Sequence, residues 1–226
     1  MLEVRILWLK LWEVQDGTIY DLRFIELLNK YNLKATLNLN SKLEDFVWYY
    51  ENHPIKRLNL YNTKNLFTGH EVASHSLTHP YFYSLSKEEI LRQVSEDISN
   101  LKEIFEYEIE GFAFPFDDQT EEHIQLIKEN LKLKYIRYSH LDNNFIHKDR
   151  YHIHINALCD DKDIYEKLEE FKTSEIESGL FVIAGHSYEF EVKNDWEKIE
   201  KLLSYLHNSD KFVVLTLKEA VRNLFK

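Results

Sequence analysis

Short apolar runs alternate along this chain with longer stretches in which apolar residues return every three or four positions. That alternation predicts strands separated by helices. A strand is expected over residues 2–11, with Val4, Ile6, Trp8 and Leu11 among its apolar members. A helix is expected over 21–31, where Leu22, Ile25, Leu28 and Tyr31 recur at helical spacing. Residues 35–39 read as a second strand, 43–51 as a helix and 67–73 as a third strand. Ser86-Lys87-Glu88-Glu89 has capping-box form and opens a helix to about Phe105, with Ile90, Val94, Ile98, Leu101 and Phe105 as its apolar face. Gly111-Phe112-Ala113-Phe114 is a buried-type strand stopped by Pro115, and Thr120 caps a helix to about Asn130. Strands follow at 135–138 and 151–155, then a helix near 160–173 and the most hydrophobic strand of the chain at 180–184. A helix at 194–207, a strand at 212–215 and a last helix opened by the capping box Thr216-Leu217-Lys218-Glu219 complete the pattern.

Roughly seven strand–helix units imply a parallel sheet, open or closed into a barrel. In either case chemistry collects at the carboxyl ends of the strands. Asp16, His75, His79, Pro115-Phe116-Asp117 and His186 all fall just past an expected strand, so the pattern sorts them to one rim.

Composition narrows the function classes. A chain of 226 residues with 44% hydrophobic residues suits one globular domain, 1–226. A formal charge of −11 argues against nucleic acid as a partner, since phosphate binding needs clustered Lys and Arg. Cys159 is the only cysteine, which excludes an intrachain disulfide and a thiolate metal site. No run approaches a membrane span and the first residues lack signal-peptide form, so a cytoplasmic protein is expected. Oligomeric state is not readable from these features.

The candidate chemistry centres on His75-Ser76-Leu77-Thr78-His79 and a distant Asp16-Gly17. Two imidazoles and a carboxylate can hold a divalent metal and leave positions open for water and substrate. Asp-Gly is also a common turn signal, and a histidine pair can be one packing and one surface residue. Ser76 follows the first histidine, so this is not the zinc-protease motif, which needs Glu there. Gly185-His186-Ser187 ends the most hydrophobic strand, which makes His186 a candidate general acid beside a metal, or a satisfied structural histidine. Pro115 can turn the chain so that the Phe116 N–H stabilises an oxyanion, or can simply stop a strand. Arg137 lies on a strand between aromatics; if buried it needs an acidic partner, if on an edge it meets solvent. His152 and His154 share one strand face and suit a structural role, while His53, His123, His140, His147 and His207 read as bystanders.

Together these pieces resemble the polysaccharide deacetylases, the NodB-like group of carbohydrate esterase family four. Val14-Gln15-Asp16-Gly17 is similar to the family's T-F-D-D-G, and Lys34-Ala35-Thr36-Leu37-Asn38 to its K-A-T-F-F. His75–His79 matches H-S/T-x-x-H, Phe112 to Asp117 resembles F-R/A-Y-P-Y-G, and Leu180 to His186 resembles the closing strand and histidine. Gly185 to Phe190, with Trp196 after it, looks like one bacterial subgroup. The resemblance implies a distorted (β/α) barrel and a metal triad of Asp16, His75 and His79, holding zinc or sometimes cobalt or nickel. It implies His186 as general acid, the Phe116 N–H as oxyanion donor, and hydrolysis of acetyl groups from an N-acetylated sugar or oligosaccharide. Tyr188 and Phe190, close after His186, are candidates to line the cleft with Pro115. One position departs: the family's general base, the first Asp of T-F-D-D-G, is Gln15, and a neutral amide cannot take a proton from water. Glu13, Asp117 or Asp118 could replace it, or a metal-bound water could ionise unaided. Arg137, which in relatives orients the base, would then lack its partner. Two alternatives therefore stand beside the deacetylase: a non-catalytic relative that binds metal and glycan, and a C–N hydrolase of a small non-sugar amide.

Overall fold

The computed structural model describes residues 7–15, 17–176 and 178–225, the first stretch by its backbone alone. Its elements in order are β1 (Leu7–Gln15), α1 (Asp21–Lys30), β2 (Thr36–Leu39), β3 (Val47–Tyr50), β4 (His53–Lys56), α2 (Leu60–Thr63), β5 (Glu71–Ser74), α3 (Lys87–Phe105), β6 (Gly111–Ala113), α4 (Glu121–Asn130), β7 (Tyr135–Leu141), β8 (Ile153–Ile155), β9 (Ala157–Leu158), α5 (Ile164–Thr173), β10 (Leu180–Gly185), α6 (Ser187–Val192), α7 (Trp196–His207), β11 (Phe212–Leu215) and α8 (Leu217–Leu224).

Nine of these strands form one sheet in the order β8-β7-β6-β5-β2-β1-β10-β9, with β11 also on β1, and every neighbouring pair is parallel. Parallel strands need crossover helices, which is what the alternating sequence supplies. Inward and outward residues alternate along β10. Leu180, Val182 and Ala184 cluster with Tyr135, Ile153, Ile155 and the α8 residues Leu217, Ala220 and Val221. Phe181 and Ile183 join instead the larger cluster built with α1, α5 and α7. The first cluster fills the inside of a curled sheet, and α8 closes it from below.

No ladder joins the two end strands among the described residues. Instead β8 and β9 are successive pieces of one extended run, the first bonded to β7 and the second to β10. Asn156 is the seam between them. Its N–H donates to Val182 O (2.8 Å), its Oδ1 accepts from Val182 N (2.8 Å), and its Nδ2 reaches Asp142 O and Asn144 O. The distorted barrel expected from the sequence is therefore the fold, with a side chain at its joint.

Several elements differ from the sequence expectation: the third strand, expected over 67–73, runs Glu71–Ser74, and α2 and β9 are short additions. The first strand ends at Gln15 rather than near residue 11, because Glu13, Val14 and Gln15 pair with Thr36, Leu37 and Asn38; its expected start, residues 2–6, lies outside the described residues. The helix expected over 43–51 is a hairpin: Val47-Trp48-Tyr49-Tyr50 pairs antiparallel with His53–Lys56. The two turn residues Glu51 (φ 47°) and Asn52 (φ 64°) are both left-handed, the geometry a two-residue hairpin turn requires. Residues 187–192 form the extra helix α6 before α7.

Candidate active site

Because the sheet is parallel, the carboxyl ends of β10, β1, β2, β5, β6 and β7 lie side by side. Register fixes the neighbours: Val14 pairs with Gly185, Gln15 with Asn38, Leu39 with Ser74, and Ala113 with Arg137. Gln15 ends, and His186 and His75 directly follow, adjacent or near-adjacent strands on one rim, with Arg137 level with the end of β6. Asp16, the expected third metal donor, lies outside the described residues. Gly17 after it is left-handed (φ 61°), and a Cβ there would meet Leu39 Cδ2 at 3.1 Å, so the turn needs glycine on both counts.

The His75–His79 loop is held from several sides. Its backbone is strained, since Ser76 (φ 69°) and His79 (φ 56°) are left-handed without being glycine, at a cost of roughly 1–2 kcal/mol each. His75 N–H is shared between Leu39 O (2.9 Å) and Asp97 Oδ2 (3.3 Å). Asn40 Nδ2 donates to both His75 O (2.6 Å) and Ser76 O (2.7 Å). Leu77 N–H and Thr78 N–H donate to the backbone and side-chain oxygens of Gln93, and His79 N–H to Ser76 Oγ. The loop is preorganised rather than free to choose its shape.

The two imidazoles meet edge to face with centroids 4.9 Å apart. His75 is fully buried and its Nδ1–H donates to Ala113 O (2.8 Å), which leaves the lone pair of the neutral ring on Nε2. That is the tautomer of a metal-ligating histidine whose other nitrogen is fixed by a carbonyl. Among the described residues no three His, Cys, Asp or Glu side chains form a group able to hold a metal. The two imidazoles suit a divalent ion in donor chemistry, and His75 does so in tautomer as well.

Aromatic rings continue outward from the pair. Phe116 stands edge to face with His79 at 4.7 Å, Tyr81 stacks flat on Phe116 at 3.9 Å, and Tyr83 follows at 5.8 Å. Exposure rises along this row from the buried His75 to Tyr83 at 70%. Pro115 before it is buried. Asp117 is exposed and accepts from Gln119 Nε2 (2.9 Å), with His140 Nδ1 at 3.4 Å. Asp118 Oδ2 accepts from Tyr83 N–H (3.1 Å).

On the opposite side, His186 ends β10 with its Nδ1 3.5 Å from Glu189 Oε1 and its ring 5.0 Å from that of Tyr188. Asp21 ties this end to the turn after Gln15. Its carboxylate accepts Thr18 N–H (2.7 Å) and the Ser187 hydroxyl, and Ser187 Oγ lies 2.9 Å from Thr18 Oγ1. Tyr188 is buried under the β3–β4 hairpin, edge to face with Trp48 (5.5 Å) and Tyr50 (5.2 Å). Phe190, expected to line the cleft, does not: it is buried in the core against Phe24 and Trp196, because α6 turns it inward. Arg137 is fully buried, not on an exposed edge, and its Nη1 donates to Ser139 Oγ (2.7 Å) and Phe114 O (3.3 Å). His147, expected as a bystander, is buried and donates to Leu180 O.

Four residues of this rim were not singled out from the sequence: Asn40, Arg57, Gln93 and Asp97. Arg57 is buried, donates to Asn40 Oδ1 (2.7 Å) and lies over the Trp48 ring at 4.9 Å. Asp97 is fully buried on α3, and burial pushes its carboxyl up to about 7, against the opposing bonds from Ser74, Ser41 and His75. A signal for it was present. The buried stripe of α3 runs Ile90, Val94, Asp97, Leu101, Ile104, and an acid at such a position needs a partner in the core.

A parallel α/β sheet thus carries an imidazole pair and a third histidine on its carboxyl rim. The sequence profile described as polysaccharide deacetylase matches residues 15–136, more than half the chain, and the protein belongs to that family. No curated protein sequence matches the chain. Solved structures share the fold at low identity. A mutant, with restored activity, of a pseudoenzyme of carbohydrate esterase family four is 15% identical, with a TM-score of 0.60 over 98% of this chain and 69% of its own. A family 4 acetyl xylan esterase from Clostridium thermocellum, in complex with cobalt, is 16% identical, with a TM-score of 0.59 over 95% and 91%. A 4-alpha-glucanotransferase from Thermococcus litoralis is 12% identical, with a TM-score of 0.68 over 97% of this chain but 40% of its own. No helix among the described residues is long and apolar enough to cross a membrane.

Proposed function

We propose that residues 1–226 act as one catalytic domain that removes acetyl groups from an N-acetylated sugar or oligosaccharide with the help of a divalent metal. The observation that carries this is the His75–His79 pair, with His75 held in the ligating tautomer by Ala113 O. Family membership supports acetylated sugars as the substrate class. The cobalt in the acetyl xylan esterase supports a divalent ion, which zinc, cobalt or nickel would satisfy in this donor set.

His75, His79 and Asp16 would hold the metal, which when bound supplies Lewis-acid polarisation of the acetamide carbonyl and a more acidic water. The chain's own residues do the rest. The Phe116 N–H, presented after buried Pro115, stabilises the oxyanion. His186 gives its proton to the leaving amine, with Glu189 Oε1 3.5 Å from its Nδ1 on the side away from that transfer. Tyr81 and Tyr83 offer ring faces on which a sugar stacks, at the outer end of the aromatic row. On the opposite side, Tyr188 supports the β3–β4 hairpin from beneath Trp48 and Tyr50.

Gln15 favours a second reading, a retired enzyme that binds metal and glycan. The pseudoenzyme among the structural neighbours makes that outcome concrete. Asp117 is the acid nearest in sequence to the oxyanion donor, but its exposed carboxylate is engaged by Gln119 and His140 on the rim. Acetate release from N-acetylglucosamine oligomers by metal-loaded protein tests both readings. We expect slow release that disappears in His75→Ala, and a gain of roughly 10²–10⁴-fold in Gln15→Asp. Release equal in wild type and Gln15→Asp would mean that the base is already supplied elsewhere. No release from either, with metal bound, would favour the binding protein or a small non-sugar amide, which a panel of cyclic and linear amides would reveal.

A further inference from the structure

We propose that Asp97 and Asn40 are positioning residues that grip the backbone of His75 from two sides and thereby set how tightly the site takes a divalent metal. This rests on the metal reading above. Asp97 works on the N–H side: Oδ1 accepts Ser41 N–H (2.7 Å), and Oδ2 accepts both the Ser74 hydroxyl (2.6 Å) and His75 N–H (3.3 Å). One carboxylate from α3 thus ties the end of β2 to the end of β5. Asn40 works on the carbonyl side, with Nδ2 donating to His75 O and Ser76 O. Its orientation is not free, because Arg57 Nη1 fills Oδ1 at 2.7 Å and so turns Nδ2 toward the loop.

All three side chains are at least nine-tenths buried: Asp97 is 0% exposed, Asn40 4% and Arg57 5%. Their bonds do not compete with water. Any shift of the His75 backbone breaks bonds on both sides at once. The ring is fixed by a third restraint, Nδ1–H to Ala113 O. The His79 backbone, by contrast, is tied through its N–H to the Ser76 hydroxyl within the same loop. The site therefore has one ligand locked to the sheet and one carried by a turn. Neither clamp residue touches metal or substrate in this scheme; each acts through His75.

Two near-isosteric substitutions test this. Asp97→Asn replaces an acceptor with a donor that faces other donors, and Asn40→Asp replaces a donor with an acceptor that faces two carbonyls. Ser74→Ala removes the hydroxyl that donates to Asp97 Oδ2 (2.6 Å) and accepts Ser76 N–H (3.4 Å), without changing charge. Leu101→Ala, on the same buried stripe of α3 but outside the clamp, is the control for general loosening. Zinc affinity would be measured by chelator competition, the cobalt visible spectrum would report ligand geometry, and apo-protein melting would report the fold. Asp97→Asn and Asn40→Asp are expected to weaken zinc by roughly 10–100-fold and to alter the cobalt bands. Ser74→Ala should weaken it less, and Leu101→Ala should lower the melting temperature while leaving both metal readouts alone. Folded Asp97→Asn and Asn40→Asp proteins with wild-type zinc affinity would overturn the proposal. If neither folds, Ser74→Ala decides, and wild-type metal readouts there overturn it equally. A loss of zinc in Leu101→Ala as large as in Asp97→Asn would also overturn it. Wild-type protein that binds no zinc or cobalt would sink the metal reading itself, a result distinct from intact binding that ignores the clamp.

Discussion

His70 shows what a half-buried imidazole does when it is not offered to a ligand. Its Nδ1 accepts Ala35 N–H at 3.2 Å, and burial, with the charge of Lys34 added, holds its pKa below the ordinary 6.5. A protonated ring could not accept that bond. The folded protein therefore resists a proton that the unfolded chain takes up near 6.5, so the stability present above that value is lost as pH falls below it. His154, buried and donating to Asn144 O, is shifted the same way by burial. We expect urea unfolding to show lower stability near pH 5.5 than near pH 7.5, with His70→Gln narrowing the gap. At this scale the histidines themselves were legible in the sequence, because H-x-x-x-H and a histidine closing a strong strand are spaced signals. Their supports were not. Asn40 reads as a residue in a polar loop, and Asp97 as one charge among many on α3. Its spacing from Val94 and Leu101 was the one signal that it faces inward.

The hairpin of β3 and β4 was the element most thoroughly hidden. Leu43, Val47 and Tyr50 fall at spacings of four and three, which imitates a helix face. The left-handed pair Glu51-Asn52 and the aromatic run before it decide for a hairpin instead. Two strands alone are marginal in water. This pair is held by Trp48 and Tyr50 on Tyr188, and by the bridge between Thr18 and Arg57 at its base. Each edge-to-face contact contributes roughly 0.5–1.5 kcal/mol beyond the area it buries. Trp48→Ala should therefore let the arm lift, speeding amide exchange over residues 47–56 by about tenfold while α7 and β10 keep their protection. Uniform acceleration across the molecule would contradict this. The arm also carries Arg57, so its docking and the orientation of Asn40 are linked.

For the whole molecule, the βα alternation announced the barrel, and the sorting of chemistry to one rim followed from it. The closure was not visible, because it depends on one amide rather than on a periodic run. Asn156 supplies through its side chain the bonds that a continuous strand would supply through its backbone. Asn156→Ala leaves Val182 N–H and two carbonyls without those partners. It should cost about 2–4 kcal/mol in urea unfolding, with the fold's circular dichroism retained. A change within experimental scatter would show that the seam is held by packing.

The placement of β1 has a consequence for how the protein is made. It is flanked on one edge by β10, from residues 180–185, and along its first half on the other edge by β11, from residues 212–215. β1 thus waits for strands far later in the chain before either pairing can form, and until then only Glu13 to Gln15 have a strand partner, in β2. During translation its backbone edge stays open, and an open strand edge invites pairing with other chains. The topology therefore predicts folding slowed by these long-range parallel pairings.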